Sequence, residues 1–193
     1  MNYELNKMEI ANHLGTQPLQ TPRLILRRFT MDDAQSMFDL WCNDPQVTRF
    51  LSWGPHGTID NTKRLLKAWK QRYEDTMFYN WCIEFEGLPI GGIDLIMRST
   101  KSLRAELGYC LSNCYKGRGI VTEAACAVLT YAFETVGLHK ICAKHDVENP
   151  ASGRIMQKLG MRQEGYMKLD AQRLDGTYSD MVLYGILRDE WLR

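Results

Sequence analysis

Apolar and polar positions alternate along this chain in two rhythms, and the switches between them outline its elements. In the run 23–29, Leu24 and Leu26 alternate with Ile25 and Phe29, which reads as a strand covered on both faces. Period two returns at 81–86, 89–98 and 103–111. In the last of these Leu103, Ala105, Leu107, Tyr109 and Leu111 face one way, and Arg104, Glu106, Gly108 and Cys110 the other. Turns at Glu86-Gly87 and Ser99–Ser102 separate the three strands, and further strands are expected at 139–144, 161–169 and 179–186.

The other rhythm is helical. Thr30 followed by Asp32 and Asp33 marks a helix start, with a capping hydroxyl and acids near the positive end of the dipole. That helix should run to Trp41 and stop before Asn43-Asp44-Pro45, since the residue before proline avoids the helical region. A turn-rich loop, Ser52–Gly57, precedes a helix over 59–75 whose apolar face is Leu65, Leu66 and Trp69. A long helix begins after Gly119, buries Ala125, Val128, Leu129, Ala132 and Val136, and ends at Gly137. Another starts at Asn149-Pro150 and ends at Gly160. Strands interleaved with helices in this order give an α/β protein with a mixed sheet. Residues 1–20 read as an N-terminal leader and 21–193 as a single domain, with no linker, repeat or low-complexity segment.

Composition narrows the function classes. Lys+Arg 24 against Asp+Glu 23 leaves a formal charge of +1, so no global attraction to nucleic acid or an anionic membrane is expected. No apolar run approaches the roughly 18 residues of a membrane span, and Met1–Gln17 carries Glu4 and Glu9 without an apolar segment, unlike a signal peptide. A cytoplasmic location is the resulting expectation. The six cysteines form no CxxC pair, which favours reduced thiols packed as small hydrophobes. If 139–145 is a strand, Cys142 and His145 point to opposite faces and cannot share a metal, so no metal is expected.

The chemistry begins at Cys114-Tyr115-Lys116-Gly117-Arg118-Gly119-Ile120, between a strand and a helix. Two glycines permit a tight turn and close backbone approach, and the first helical amides favour an anion there. Lys116 and Arg118 add charge, which suits a pyrophosphate. A Walker loop would need Gly-Lys followed by Ser or Thr, and a dinucleotide fingerprint a small residue where Thr122 stands. A glycine-rich turn into a helix needs no ligand, so this motif alone leaves both readings open.

Longer stretches resolve the ambiguity. Ala105–Leu111 followed by Tyr115–Ala124 resembles motif A of the GNAT superfamily, with Cys114 in place of the usual Gln or Arg. Asn149-Pro150-Ala151-Ser152, Lys158–Met161 and Glu164-Gly165 resemble its motif B. Thr21–Arg27, Asn43-Asp44-Pro45 and the tail from Tyr184 to Trp191 are similar to the ribosomal-protein N-terminal acetyltransferases of the RimJ/RimL type. The resemblance implies the GNAT fold, a twisted mixed sheet whose central strands splay to admit the pantetheine of acetyl-CoA. It also implies N-acetyltransferase activity on a primary amine, either a protein N-terminus or a small molecule.

On this resemblance, backbone groups of Cys110 and Leu111 align the pantetheine, the amides of Tyr115, Lys116, Gly117, Arg118, Gly119 and Ile120 take the pyrophosphate, and Asn149 bonds the pantetheine amides. A protonated amine cannot attack a thioester, so a proton acceptor is required. Glu106 matches the family's usual glutamate, although it reads equally as an ion-pair partner of Arg104 or a nearby basic residue; Asp170 and Asp180 are weaker candidates. The family's tyrosine acid falls at Met156, which cannot donate, so Ser152 is the candidate thiolate partner, as in the RimJ/RimL type. Trp53, His56 and Tyr79 are candidate acceptor-pocket residues or ordinary packing. Homodimerisation is left open, and the rival reading is a non-catalytic acyl-CoA sensor with the same fold.

Overall fold

In the computed structural model, which describes residues 11–192, the period-two segments become an eight-stranded sheet of order β1-β2-β3-β4-β5-β6-β8-β7. Its strands are β1 (Leu19–Gln20), β2 (Leu24–Arg27), β3 (Tyr79–Phe85), β4 (Leu88–Ser99), β5 (Arg104–Leu111), β6 (Lys140–Asp146), β7 (Arg162–Gln172) and β8 (Tyr178–Leu187). Every adjacent pair is antiparallel except β5 and β6. The α/β mixed sheet expected from the order of elements is therefore present.

Helices cover both faces. On one side α4 (Ile120–Thr130), its π-helical continuation Tyr131–Val136 and α5 (Pro150–Lys158) pack against Trp81, Ile93, Leu107 and Ile141. All five residues of the predicted stripe on the long helix are buried, and Gly137 ends it at φ 80°. On the other side lie α1 (Ala34–Met37), α2 (Pro45–Thr48) and α3 (Ile59–Arg72); Met37 of α1, Trp41 of the turn after it and Leu66 of α3 enclose Phe29 and Cys82. A short α6 (Arg188–Trp191) closes the chain.

The helix expected over 30–41 is composite: a 3-10 turn Met31–Asp33, then α1, then a π turn Phe38–Cys42. Asp33 explains the irregular start. Its carboxylate accepts from the Thr30 amide at 2.7 Å and from Arg27 Nη1 and Nη2 at 2.9 and 2.8 Å, tying the helix entry to β2. The helix predicted over 59–75 ends at Arg72, and α2 and β1 were not anticipated.

The first ten residues of the expected leader lie outside the described residues. The rest of it is built into the sheet edge beyond the end of β2. Thr16 Oγ1 donates to Phe78 O at 2.8 Å and accepts from the Asn80 amide at 2.9 Å, while Trp81 Nε1 donates to Gln17 O. Thr16 is 1% exposed, so both backbone groups would be orphaned without its hydroxyl. Thr16→Val should accordingly lower stability by about 1–3 kcal/mol, read as a lower urea midpoint with an unchanged slope.

Candidate active site

The site begins where two strands part. Pairing between β5 and β6 covers only Arg104↔Lys140, Ala105↔Ile141 and Glu106↔Cys142, although β5 runs to Leu111 and β6 to Asp146. Each strand keeps its other partner: β5 stays paired with β4 to Leu111, and β6 with β8 to Asp146. The β6-facing backbone of Gly108–Leu111 is left without a ladder partner, a free edge beside a gap. An extended chain bearing amides, such as pantetheine, could be received there as a strand.

At the outer end of β5 the chain makes a 3-10 turn, Asn113–Tyr115, and enters α4 through Gly117 and Gly119. Both glycines are left-handed, at φ 78° and 75°, a conformation costly for any residue with a side chain. The Glu123 amide is the first to close on the helix, at Gly119 O, so the amides of Ile120 to Thr122 precede the ladder and face the positive end of the dipole. Tyr115 and Lys116 differ from expectation in one respect. Their amides are already bonded to Ser112 O and Asn113 O, so they could meet a diphosphate only through their side chains. The Arg118 guanidinium lies 5.2 Å from the Tyr115 ring centre.

The segment Thr21–Arg23 holds this turn in place. Thr21 Oγ1 and the Arg23 amide donate to Glu123 Oε1 at 2.6 and 3.0 Å, Arg23 Nε donates to Oε2 at 2.6 Å, and Arg23 Nη1 to Arg118 O at 3.0 Å. Burial raises the Glu123 pKa, but these bonds and the Arg23 charge outweigh it and hold the carboxyl below its ordinary value. Asn113 Nδ2 donates to Asp44 Oδ2 at 2.6 Å, and Asn43 Oδ1 accepts from the Gly57 amide, so Asn43-Asp44-Pro45 joins the cradle to the Ser52–Gly57 loop.

The gap has a polar bridge. Ser152, on the first turn of α5, lies 2.7 Å from Tyr109 Oη on β5, so the two hydroxyls join the parted halves. Burial, partly offset by this bond, pushes the Tyr109 phenol up to about 12. Asn149 caps α5, its Oδ1 accepting from the Ser152 amide at 3.4 Å. Met156, at the position of the family's usual tyrosine, is in the core.

The carboxylates separate into two kinds. Glu106 bonds Arg98 Nε at 2.9 Å, which gives it the ion-pair partner the sequence left open, though not Arg104. A register shift between Met97 and Ser99 accompanies that reach. Glu106 borders a charged cavity of about 330 Å³ in which Lys140 pairs with Glu164 and Lys144 with Asp170. Asp180 accepts from Tyr166 Oη and the Leu169 amide, which lower its pKa. Asp94 is unlike these: its Oδ1 is fully enclosed and has no hydrogen-bond partner, and burial, then the Glu106 charge, push it up to about 6 against smaller opposing effects of the Gly108 amide and Arg98.

The Trp53 and His56 rings meet at a tilt of 47° with centres 5.3 Å apart on the α1–α3 side, and His56 Nδ1 lies 2.7 Å from Thr62 Oγ1. Burial lowers the His56 pKa. Their loop meets the β7–β8 hairpin, where a Cβ added at Gly54 would lie 3.2 Å from Leu174 Cδ1. Tyr79 does not join them. It is 1% exposed on the opposite face, packed against Tyr131, with His13 Nδ1 2.7 Å from its hydroxyl. Cys142 bonds Ala105 O while His145 packs under Gly153 of α5, and they do lie on opposite faces of β6. Among the described residues no cluster of His, Cys, Asp or Glu could hold a metal.

Comparison with known proteins accords with this geometry. The family described as the acetyltransferase (GNAT) domain matches residues 23–162. The uncharacterized N-acetyltransferase YoaA of Bacillus subtilis (strain 168) is 30% identical over 172 residues, 88% of this chain and 96% of that protein. The ribosomal protein uS5-alanine N-acetyltransferase of Escherichia coli (strain K12) is 34% identical over 85 residues, 44% of this chain and 43% of that protein. A GNAT-family acetyltransferase structure from Bacillus anthracis superposes with a TM-score of 0.79 at 27% identity, covering 90% of this chain and all of its own. The RimL ribosomal L7/L12 alpha-N-protein acetyltransferase, solved with coenzyme A, superposes at 0.80 with 18% identity, covering 89% of this chain and 98% of its own, and shares the fold.

The half-buried Asp94 carboxyl, with Oδ1 enclosed, has a thermodynamic signature. The folded protein keeps its proton up to about 6, whereas the unfolded chain releases it near 3.8, so stability falls as pH rises between these values. Asp94→Asn should therefore add up to about 3 kcal/mol of stability at pH 8 and almost none near pH 4, measured by denaturant unfolding at both.

Proposed function

Since the chain belongs to the acetyltransferase (GNAT) family and is an acetyl-CoA-dependent N-acetyltransferase, we propose that it acetylates a primary amine, on a protein N-terminus or a small molecule, by direct attack on the thioester. The observation that carries this reading is the gap between β5 and β6, open along Gly108–Leu111 and continuous in sequence with the cradle at Gly117–Ile120. Acetyl-CoA supplies an activated acetyl group and a diphosphate. The chain supplies a free strand edge, with Cys110 and Leu111 for the pantetheine, and α4 amides with the Lys116 and Arg118 side chains for the diphosphate. Asn149 is assigned to the pantetheine amides beyond its capping bond.

In the transfer the amine nitrogen forms a bond to the acetyl carbon, the carbon–sulfur bond breaks, and one proton must leave nitrogen as another reaches sulfur. Ser152 is assigned to the leaving thiolate. Its hydroxyl lies 2.7 Å from Tyr109 Oη, where either oxygen can donate, and Ser152 is free to donate outward when Tyr109 donates to it. On the α1–α3 side a carboxylate receives the amine's proton. Glu106 is the residue the family resemblance supplies, and its Arg98 bond leaves it Oε1 for that task. Protein N-terminal amines are supported as acceptors by the uS5-alanine relative, and small amines by the stretch of similarity, 25% over 149 residues, to the spermidine N(1)-acetyltransferase of Escherichia coli (strain K12).

Two variants test the assignment. Gly119→Val forces a branched side chain into the left-handed region and should weaken acetyl-CoA binding by about 10- to 100-fold in calorimetry; unchanged affinity would contradict the cradle. Ser152→Ala should slow turnover by about 100-fold while leaving acetyl-CoA affinity intact, with acetylated product followed by mass spectrometry across an amine panel. Tight binding without acceptor-dependent release on any amine would favour a sensor instead.

A further inference from the structure

Among the described residues, the enclosed side-chain atoms without a hydrogen-bond partner are Asn80 Nδ2, Asp94 Oδ1 and Ser112 Oγ. Such atoms are rare in folded proteins, because each forfeits its hydration. Two of the three are neighbours. Asn80 and Asp94 are register partners on β3 and β4, and Asn80 is 6% exposed. Both point to the α1–α3 face, since Trp81, Ile93 and Leu95 on the alternate positions pack in the α4 core.

The next strand decides where Asp94 leads. Its partner on β5 is Gly108, and a Cβ placed there would lie 2.3 Å from Asp94 Oδ1 and 3.3 Å from its Cγ. The carboxylate thus leans across the one position on that face of β5 that has no side chain. Had the parallel ladder continued past Glu106↔Cys142, Gly108 would face Lys144; instead pairing stops there and the gap begins. Asp94 therefore reaches over β5 to the rim of the gap, and Glu106 sits one pair further from the opening.

We propose that Asp94 is a catalytic residue, contacting the acceptor amine at the rim of the β5–β6 gap and taking its proton as nitrogen attacks the acetyl carbon, with Asn80 Nδ2 donating to an oxygen acceptor beside that amine. The proposal rests on the acetyl-transfer reading and deepens it, giving Asp94 the first contact and leaving Glu106 to act through its charge. The balance is simple: nitrogen loses a proton to the Asp94 carboxylate, the new C–N bond forms, the C–S bond breaks, and the thiolate leaves toward Ser152. The groups around Asp94 suit a proton acceptor. Glu106 and the Cys110 thiol face it from β5, Asn80 from β3 and Arg98 from β4 itself; the helical stretch above presents Met37, Trp41 and Cys42, while its Asp39 is exposed and bonded to Gln35. Arg98 is engaged by Glu106, so no cation is bonded to Asp94.

The test is the pH dependence of kcat/KM for acetyl transfer from acetyl-CoA to a panel of primary amines (spermidine, amino-acid amides and peptides with free N-termini), with acetyl-CoA affinity measured in parallel. Wild-type protein should show an acid limb near pH 6. Asp94→Asn should lose about 100-fold or more with the limb abolished and cofactor affinity retained, while Glu106→Gln should keep the limb and move it to lower pH. Gly108→Ala, which must push the carboxylate aside, should slow wild type by about 10-fold and add almost nothing in the Asp94→Asn background. Wild-type rate and limb in Asp94→Asn would overturn the proposal while sparing the transferase reading, as would equal losses from Gly108→Ala in both backgrounds. Loss of acetyl-CoA binding in Asp94→Asn would make the residue structural and also overturn it. Absence of transfer by wild type to every amine would overturn both readings together.

Discussion

Everything in this fold that bears on chemistry follows from three residue pairs of parallel ladder between β5 and β6, and from the fact that the ladder then stops. Neighbouring strands in a sheet are rotated against each other, and a pair can be forced apart when each strand is held more firmly elsewhere. Here β5 is held by β4 at close quarters, since a Cβ on Gly91 would lie 2.4 Å from Cys110 O, and β6 is bonded to β8 along all seven of its residues. The sheet behaves as two antiparallel blocks hinged at Arg104–Glu106. The unpaired backbone left behind is expensive in isolation and becomes useful when a strand-like ligand fills it.

Around that opening the polar groups divide by face. On the α4–α5 side the Tyr109–Ser152 hydroxyl pair spans the gap, next to a cradle braced by Thr21, Arg23 and Glu123. On the α1–α3 side stand Asn80, Asp94 and Glu106, beneath helices that contribute apolar residues. A thioester entering from one face and an amine from the other would meet between them. The arrangement has a cost: the half-buried Asp94 carboxyl lowers stability above pH 6, as is common where a group is kept reactive instead of neutralised.

Much of this was legible in the sequence, for reasons that can be named. The cradle was readable because left-handed backbone demands glycine, and Gly117 and Gly119 announce it. The long helix was readable because its buried stripe repeats at helical spacing. Tyr79, readable as pocket lining or as ordinary packing, is packing, and a strand begun at Trp81 does not decide between the two. Extending it back to Tyr79 puts Tyr79 on the same face as Trp81, in the α4 core. The ion pair expected of Glu106 forms with a nearby basic residue, and Arg98 is chosen over Arg104 because an irregularity near Arg98, not the simple alternation, sets that contact. Asp94 was invisible for a deeper reason. Between Ile93 and Leu95 it looks like the solvent side of an alternating strand, and only helices from residues 31–72 and a glycine fourteen positions later make it a half-buried group, one oxygen enclosed, at an opening. The first helix begins after Thr30 and stops before Asn43 as the pattern indicates, but its 3-10 start is not visible in the periodicity, since Asp33 is recruited by Arg27 from outside the helix.

Amide hydrogen exchange with and without acetyl-CoA tests the central claim most directly, because it reads the open strand edge itself. Protection should appear at Gly108–Leu111 and at Gly117–Thr122, with the β7–β8 hairpin unchanged. Protection confined to other segments, or none at saturating acetyl-CoA, would mean that the gap between the two blocks is not where the acyl donor lies.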